Sequence, residues 1–294
     1  MPPAKRVDLL DPAVVAKMGG IEIVAPGVVE GFLTGLHRSP FRGFSVEFTE
    51  HRAYQPGDEL RYLDWKILAR SDRLFVKQFE EETNLRAMLL VDTSRSMAWR
   101  GSPERLTKRE YADRLAAALG LILLRQRDAT GLVTFDEAVR CVIPARVKVG
   151  QWARLVRGLL DTPDGRGTAA EAALRHLTSL LTRRGLVVLL SDLLFDRGLA
   201  LTALRYLRHR GHQVIVVHLM DPAEAELAGP PEVRFRDPES AATLVVRPRE
   251  LARAYREAVA REISAWRSAC RRHGIAYHHV TTDMPFGTAL RLVA

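Results

Sequence analysis

Between residues 85 and 225 the chain alternates short apolar runs with longer stretches of helical periodicity. The apolar runs have no polar face: Ala87 to Val91, Leu186 to Leu190 and Val214 to Val217 are hydrophobic at consecutive positions. A strand that must be apolar on both sides belongs in a sheet covered by helices on both sides, and such sheets are mostly parallel. The spacing predicts strands at 87–92, 130–135, 139–143, 186–191 and 213–219. It predicts helices at 104–126, 149–160, 168–182 and 198–209. The expected fold is therefore α/β, a doubly wound, mostly parallel sheet.

Residues 1–84 read differently, as a small α+β unit. Asp11-Pro12 starts a short helix that Gly19-Gly20 stops, and a second helix is expected over 28–37. Strands are expected at 45–54 and 74–79. Between them, Asp58 is placed to cap a helix and Arg61 to pair with Asp64 along one face. Trp65 is placed to pack beneath the main domain. Tyr54 and Arg70 complete this block, which reads either as an interdomain clamp or as a partner surface. Residues 226–294 read as a hairpin, a long helix over 250–272 and a final strand at 275–280 that completes the sheet.

In a doubly wound sheet, ligands bind beyond the carboxyl ends of the strands. Two predicted strands end in a carboxylate, Asp92 and Asp192. The first continues as Asp92-Thr93-Ser94-Arg95-Ser96, and Thr168 opens a predicted helix after Gly165-Arg166-Gly167. Convergence of Asp92, Ser94, Ser96, Thr168 and Asp192 would assemble small oxygen donors suited to Mg2+, with Mn2+ or Ca2+ as substitutes. Three neutral hydroxyls and two carboxylates would leave such an ion electropositive and receptive to an incoming carboxylate. Each piece alone also fits ordinary chemistry. Serines cap helices, and aspartates make Asx turns.

Composition narrows the function. The net charge is +9, and residues 85–225 hold most of it, with 22 basic against 14 acidic side chains. The arginines are spread along helices, with no aromatic-rich basic strand, so the pattern argues for solvated faces or an acidic protein partner rather than nucleic acid. There is no G-x-x-x-x-G-K-[ST] loop for ATP and no G-x-S-x-G elbow. Two cysteines without metal spacing fit reduced, buried thiols. The N-terminal residues lack a signal-peptide core, and the longest apolar runs are half a membrane span, so a cytoplasmic protein is expected.

The five oxygen-bearing positions, in this order in an α/β chain, resemble the von Willebrand factor A domain. The resemblance covers residues 85–225 and the last strand. It implies a metal-ion-dependent adhesion site at Asp92, Ser94, Ser96, Thr168 and Asp192. A second resemblance spans nearly the whole chain. Gly35 to Pro40, Glu47-Phe48, Tyr54 to Asp58, Arg61, Asp64-Trp65 and Ala69-Arg70, with Asp92 to Met97, are similar to the MoxR-associated, von Willebrand factor A-like bacterial family DUF58. Trp99 stands where that pattern expects a smaller aromatic. This resemblance implies work beside a MoxR-type AAA+ ATPase. The expected function is a non-enzymatic binding module whose Mg2+ takes an acidic side chain of that ATPase or its client, in a chaperone-like assembly role. The alternatives are a magnesium-dependent phosphohydrolase using Asp92 and a basic nucleic-acid adaptor.

Overall fold

The computed structural model describes residues 20–34, 47–55, 63–71, 73–80, 85–165, 167, 171–227, 232–236 and 243–293. The chain divides into two compact units, residues 39–85 and the remainder.

The smaller unit holds an antiparallel pair, β1 (Glu47–Ala53) and β2 (Phe75–Glu80), with a register irregularity between Phe48 and Glu50. Helix α2 (Trp65–Ser71) lies between them in sequence. Asp64 caps this helix: its carboxylate accepts from Ile67 N–H at 3.2 Å. Asp58 and Arg61 lie outside the described residues. Leu63 and Val76 are the buried apolar pair of this unit. Trp65, the first residue of α2, is 62% exposed. Tyr54 is half-buried and Arg70 exposed.

The larger unit is built on a sheet of six strands among the described residues: β3 (Arg86–Asp92), β4 (Ala129–Phe135), β5 (Val139–Arg146), β6 (Leu186–Ser191), β7 (Gln213–Met220) and β10 (Ala276–Thr281). Their spatial order is β10-β7-β6-β3-β4-β5. All neighbours pair in parallel except β4 with β5. Every residue of β6 is buried, as its unbroken apolar run requires.

Helices cover both faces. Helix α3 (Lys108–Arg125) and α4 (Gln151–Asp161) take the side of Leu89, where Gly120 of α3 lets the helix sit close to Leu89 and Leu155. Helices α5 (Glu171–Leu180), α6 (Arg197–His209) and α7 (Pro248–Arg272) take the other side. There Leu90, Val133, Leu174, Val187, Leu204, Val216 and Trp266 form one apolar cluster. Each such side chain contributes about 1.5–3 kcal/mol on burial.

A strand pair, β8 (Val233–Arg236) with β9 (Thr243–Val246), forms its own antiparallel sheet before α7. The chain ends in α8 (Phe286–Val293), where Phe286 stacks on Tyr111 of α3 at 4.5 Å between centroids. Helix α1 (Ile21–Thr34) packs against α3 and α8, burying Ile21, Val24, Ala25, Val28 and Val29. It thus belongs with the large unit. The division of the chain falls at 39–85, where the sequence reading placed it at 1–84.

Candidate metal centre

The strand order locates the crevice. From β3 the chain crosses through α3 to β4 on one side, and β6 returns to the other side of β3. The topological switch point therefore lies between β3 and β6, where the loops diverge and leave room for a ligand. Asp92 is the last residue of β3, and Asp192 immediately follows β6.

The Asp92 carboxylate is 1% exposed and held at both oxygens. Oδ1 accepts from Ser94 N–H at 2.8 Å, and Oδ2 accepts from the Ser191 hydroxyl at 2.5 Å. Burial pushes its pKa up to about 6, and the nearby Asp192 charge adds to the rise. Ser94 precedes a 3-10 turn over Arg95–Ala98, yet its hydroxyl makes no capping bond. It lies 3.2 Å from the Ser96 hydroxyl instead. Two adjacent ligands on an octahedral magnesium shell stand about 3 Å apart, given metal–oxygen distances of about 2.0–2.1 Å. The two hydroxyls are hydrogen-bonded to each other, and their separation fits that edge.

Thr168 lies outside the described residues. The segment that leads to it is tied to the Asp92 loop: Gly165 N–H donates to Thr93 O at 2.6 Å, and Arg95 N–H donates to Gly167 O at 3.5 Å. Gly165 allows this approach, since a Cβ there would stand 2.8 Å from Thr93 O and 2.7 Å from an Asp136 carboxylate oxygen.

Asp192 is 4% exposed, and its Oδ1 accepts from Leu194 N–H at 3.3 Å. The intervening Leu193 has φ 57°, a left-handed conformation that a branched side chain adopts at a cost of about 1–2 kcal/mol. Ser191 Oγ accepts from Leu193 N–H at 2.9 Å and so braces this corner. The sequence reading missed the partner of Asp192 Oδ2, which is Lys108 Nζ at 2.8 Å. The same ammonium reaches Glu224 Oε1 at 2.5 Å. Lys108 is 1% exposed in the first turn of α3, set there by a capping box between Thr107 and Glu110. Burial alone would lower its pKa, but Asp192 and Glu224 more than offset this and hold it above the ordinary value.

Beside this triad is a cavity of about 220 Å³, lined by Lys108, Asp192, His218, Glu224, Tyr255 and Trp266 among others. Burial drives the His218 pKa down to about 4, and its Nδ1 lies 2.6 Å from the Tyr277 hydroxyl. Among the described residues, no group of three or more His, Cys, Asp or Glu side chains could hold a metal ion. Two exposed apolar side chains follow the site loops, Trp99 at 43% and Leu194 at 57%.

The family profile described as "Protein of unknown function DUF58" matches residues 50–267. The chain belongs to this family. "Uncharacterized protein Rv1480" of Mycobacterium tuberculosis (strain ATCC 25618 / H37Rv) is 30% identical over 275 residues, covering 91% of this chain and 83% of that protein. Two solved structures are distant likenesses. An aerotolerance-related membrane protein from Bacteroides fragilis NCTC 9343 has 19% identity and a TM-score of 0.49, covering 70% of this chain and 96% of that one. The SpRpn10 VWA domain has 11% identity and a TM-score of 0.41, covering 71% of this chain and 94% of that one. No described helix of the DUF58 chain is long and apolar enough to cross a membrane.

Proposed function

We propose that this DUF58 protein is a divalent-ion-dependent protein-interaction module. Asp92, Ser94, Ser96, Thr168 and Asp192 would hold Mg2+, and an acidic side chain of a partner would complete the site. The observation that carries this reading is the Ser94–Ser96 hydroxyl pair, 3.2 Å apart, at the switch point flanked by Asp92 and Asp192. The ion would supply a positive charge that a partner carboxylate meets directly. The chain's own residues would orient it: Ser191 and Ser94 N–H fix the Asp92 carboxylate, and Leu194 N–H holds one Asp192 oxygen. Trp99 and Leu194 offer apolar contact area beside that point.

The partner expected from the family resemblance is a MoxR-type AAA+ ATPase or its client, engaged in chaperone-like assembly. The surplus of basic residues over 85–225 favours an acidic visitor and speeds its approach at low salt. Phosphohydrolysis through Asp92 is the weaker reading. An aspartyl nucleophile would want a second carboxylate two residues on, and position 94 is Ser.

Titration calorimetry with magnesium chloride tests the ion, using wild type and a Ser94→Ala, Ser96→Ala double variant shown to be folded. Binding by wild type and its loss in the variant is the expected result. Equal heats from the two proteins would remove the hydroxyls from the site. A pulldown of the partner ATPase, with and without chelator, then tests the carboxylate mechanism.

A further inference from the structure

We infer that Lys108 is a tethered cation that competes with the divalent ion for Asp192, with Glu224 setting the strength of that competition. The inference rests on the proposed ion site and adds its regulation.

A lysine in the first turn of a helix faces the positive end of the helix dipole, and a buried one also loses its hydration. Lys108 bears both costs, at 1% side-chain exposure. Two carboxylates offset them. Asp192 Oδ2 lies 2.8 Å away and Glu224 Oε1 lies 2.5 Å away, on segments 84 and 116 residues distant in sequence. The ammonium thus occupies one oxygen of a residue that the ion would use. The other oxygen accepts from Leu194 N–H at 3.3 Å.

A second cation near Asp192 raises the free energy of a bound ion by direct repulsion and by sharing its ligand. Glu224 acts in the opposite sense. It draws on the same ammonium and so frees Asp192. It is 21% exposed, so it is also the member of the triad that solvent or a visiting protein can reach. Tyr255 of α7 donates its hydroxyl to Glu224 O at 2.8 Å, which fixes the backbone that carries this carboxylate.

The two sides of Lys108 give variants that should move in opposite directions. Magnesium affinity would be read by calorimetry on the full chain, with melts to establish that each variant is folded. Lys108→Met removes the competitor, and affinity should rise about tenfold or more. Glu224→Gln leaves Asp192 as the only carboxylate on Lys108, and affinity should fall several-fold. Lys108→Met leaves the Asp192 and Glu224 carboxylates without their cation, so a second lysine variant guards against loss of the fold. The double variant Lys108→Met, Glu224→Gln removes charge on both sides, and it should still bind more tightly than wild type. A purely structural role for Lys108 would weaken binding in all three variants.

Unchanged affinity in the variants, or weaker binding by both lysine variants, overturns the inference while leaving the ion site standing. Absence of binding in wild type and all variants removes the ion site, and this inference with it. Binding by a lysine variant alone is the strongest support.

Discussion

Replacing Asp92 with Asn should stabilise the ion-free protein at neutral pH. The carboxylate has an ordinary pKa of 3.8 and stands at about 6 in the fold, chiefly through burial. An acid whose folded pKa is raised binds more protons in the folded chain than in the unfolded one. Its stabilising share is whole below pH 3.8 and is lost as pH rises through 6. At about 1.4 kcal/mol per pH unit, the charged form is held against about 3 kcal/mol at pH 7.5. Asn keeps the shape. Its oxygen can accept from Ser94 N–H, and its amide can donate to Ser191 Oγ, which also accepts from Leu193 N–H. Asp92→Asn should therefore raise stability at pH 7.5 in chelator by up to about 3 kcal/mol, or about 6 °C in Tm. The gain should vanish near pH 4. Asp113, also pushed to about 6 by burial, keeps its own share, so the pH dependence should weaken by roughly half. Urea melts of both proteins at pH 5 and 7.5 measure this. A variant less stable at pH 7.5, with an unchanged pH slope, would refute the account of Asp92 as a strained charge. Magnesium should raise the stability of wild type at pH 7.5 and leave the variant unmoved.

Three further outcomes follow from packing. Trp266→Ala should cost about 3–5 kcal/mol in a denaturant melt, since the ring is 1% exposed in the main cluster, whereas Trp65→Ala should stay within about 0.5 kcal/mol. Gly131→Ala should destabilise by about 2 kcal/mol or more, because a Cβ would stand 2.5 Å from Ile143 O and 2.6 Å from Ala145 N; hydrogen exchange should show β5 losing protection first. Tyr111→Phe should cost about 1 kcal/mol by thermal melt, through loss of the hydroxyl bond to Met284 O at 2.8 Å.

The sheet was legible because its strands are apolar on both faces, which leaves few alternatives at runs such as Leu186 to Leu190. The ends of α3 were less so. Its start was read at 104, although the capping box Thr107-x-x-Glu110 marks the true start at Lys108. Seeing that box would also have flagged a cation in the first turn of a helix, the signal that leads to the Lys108 triad. Glu224 and Ser191 carry no such signal, since only the fold brings them to Lys108 and Asp92. Asp92, Ser94 and Ser96 are neighbours in sequence, so their shared loop could be read directly. Trp65 is 62% exposed, and a large aromatic near apolar residues does not reveal which side of a short helix it takes.

The order of the six strands also governs how the protein is made. Ala87 in the central strand pairs with Leu186, and Ala276 at the sheet's edge pairs with Ile215. At about 5–20 residues per second, a ribosome delivers that first partner roughly 5–20 s after Ala87. During this interval one edge of β3 stands open, with an apolar run along it. The last strand then closes over β7 only after α7, 25 residues long, has emerged. Nascent chains stalled between 220 and 276 should accordingly be the aggregation-prone species, and a chaperone supplied during synthesis should help more than one added afterwards.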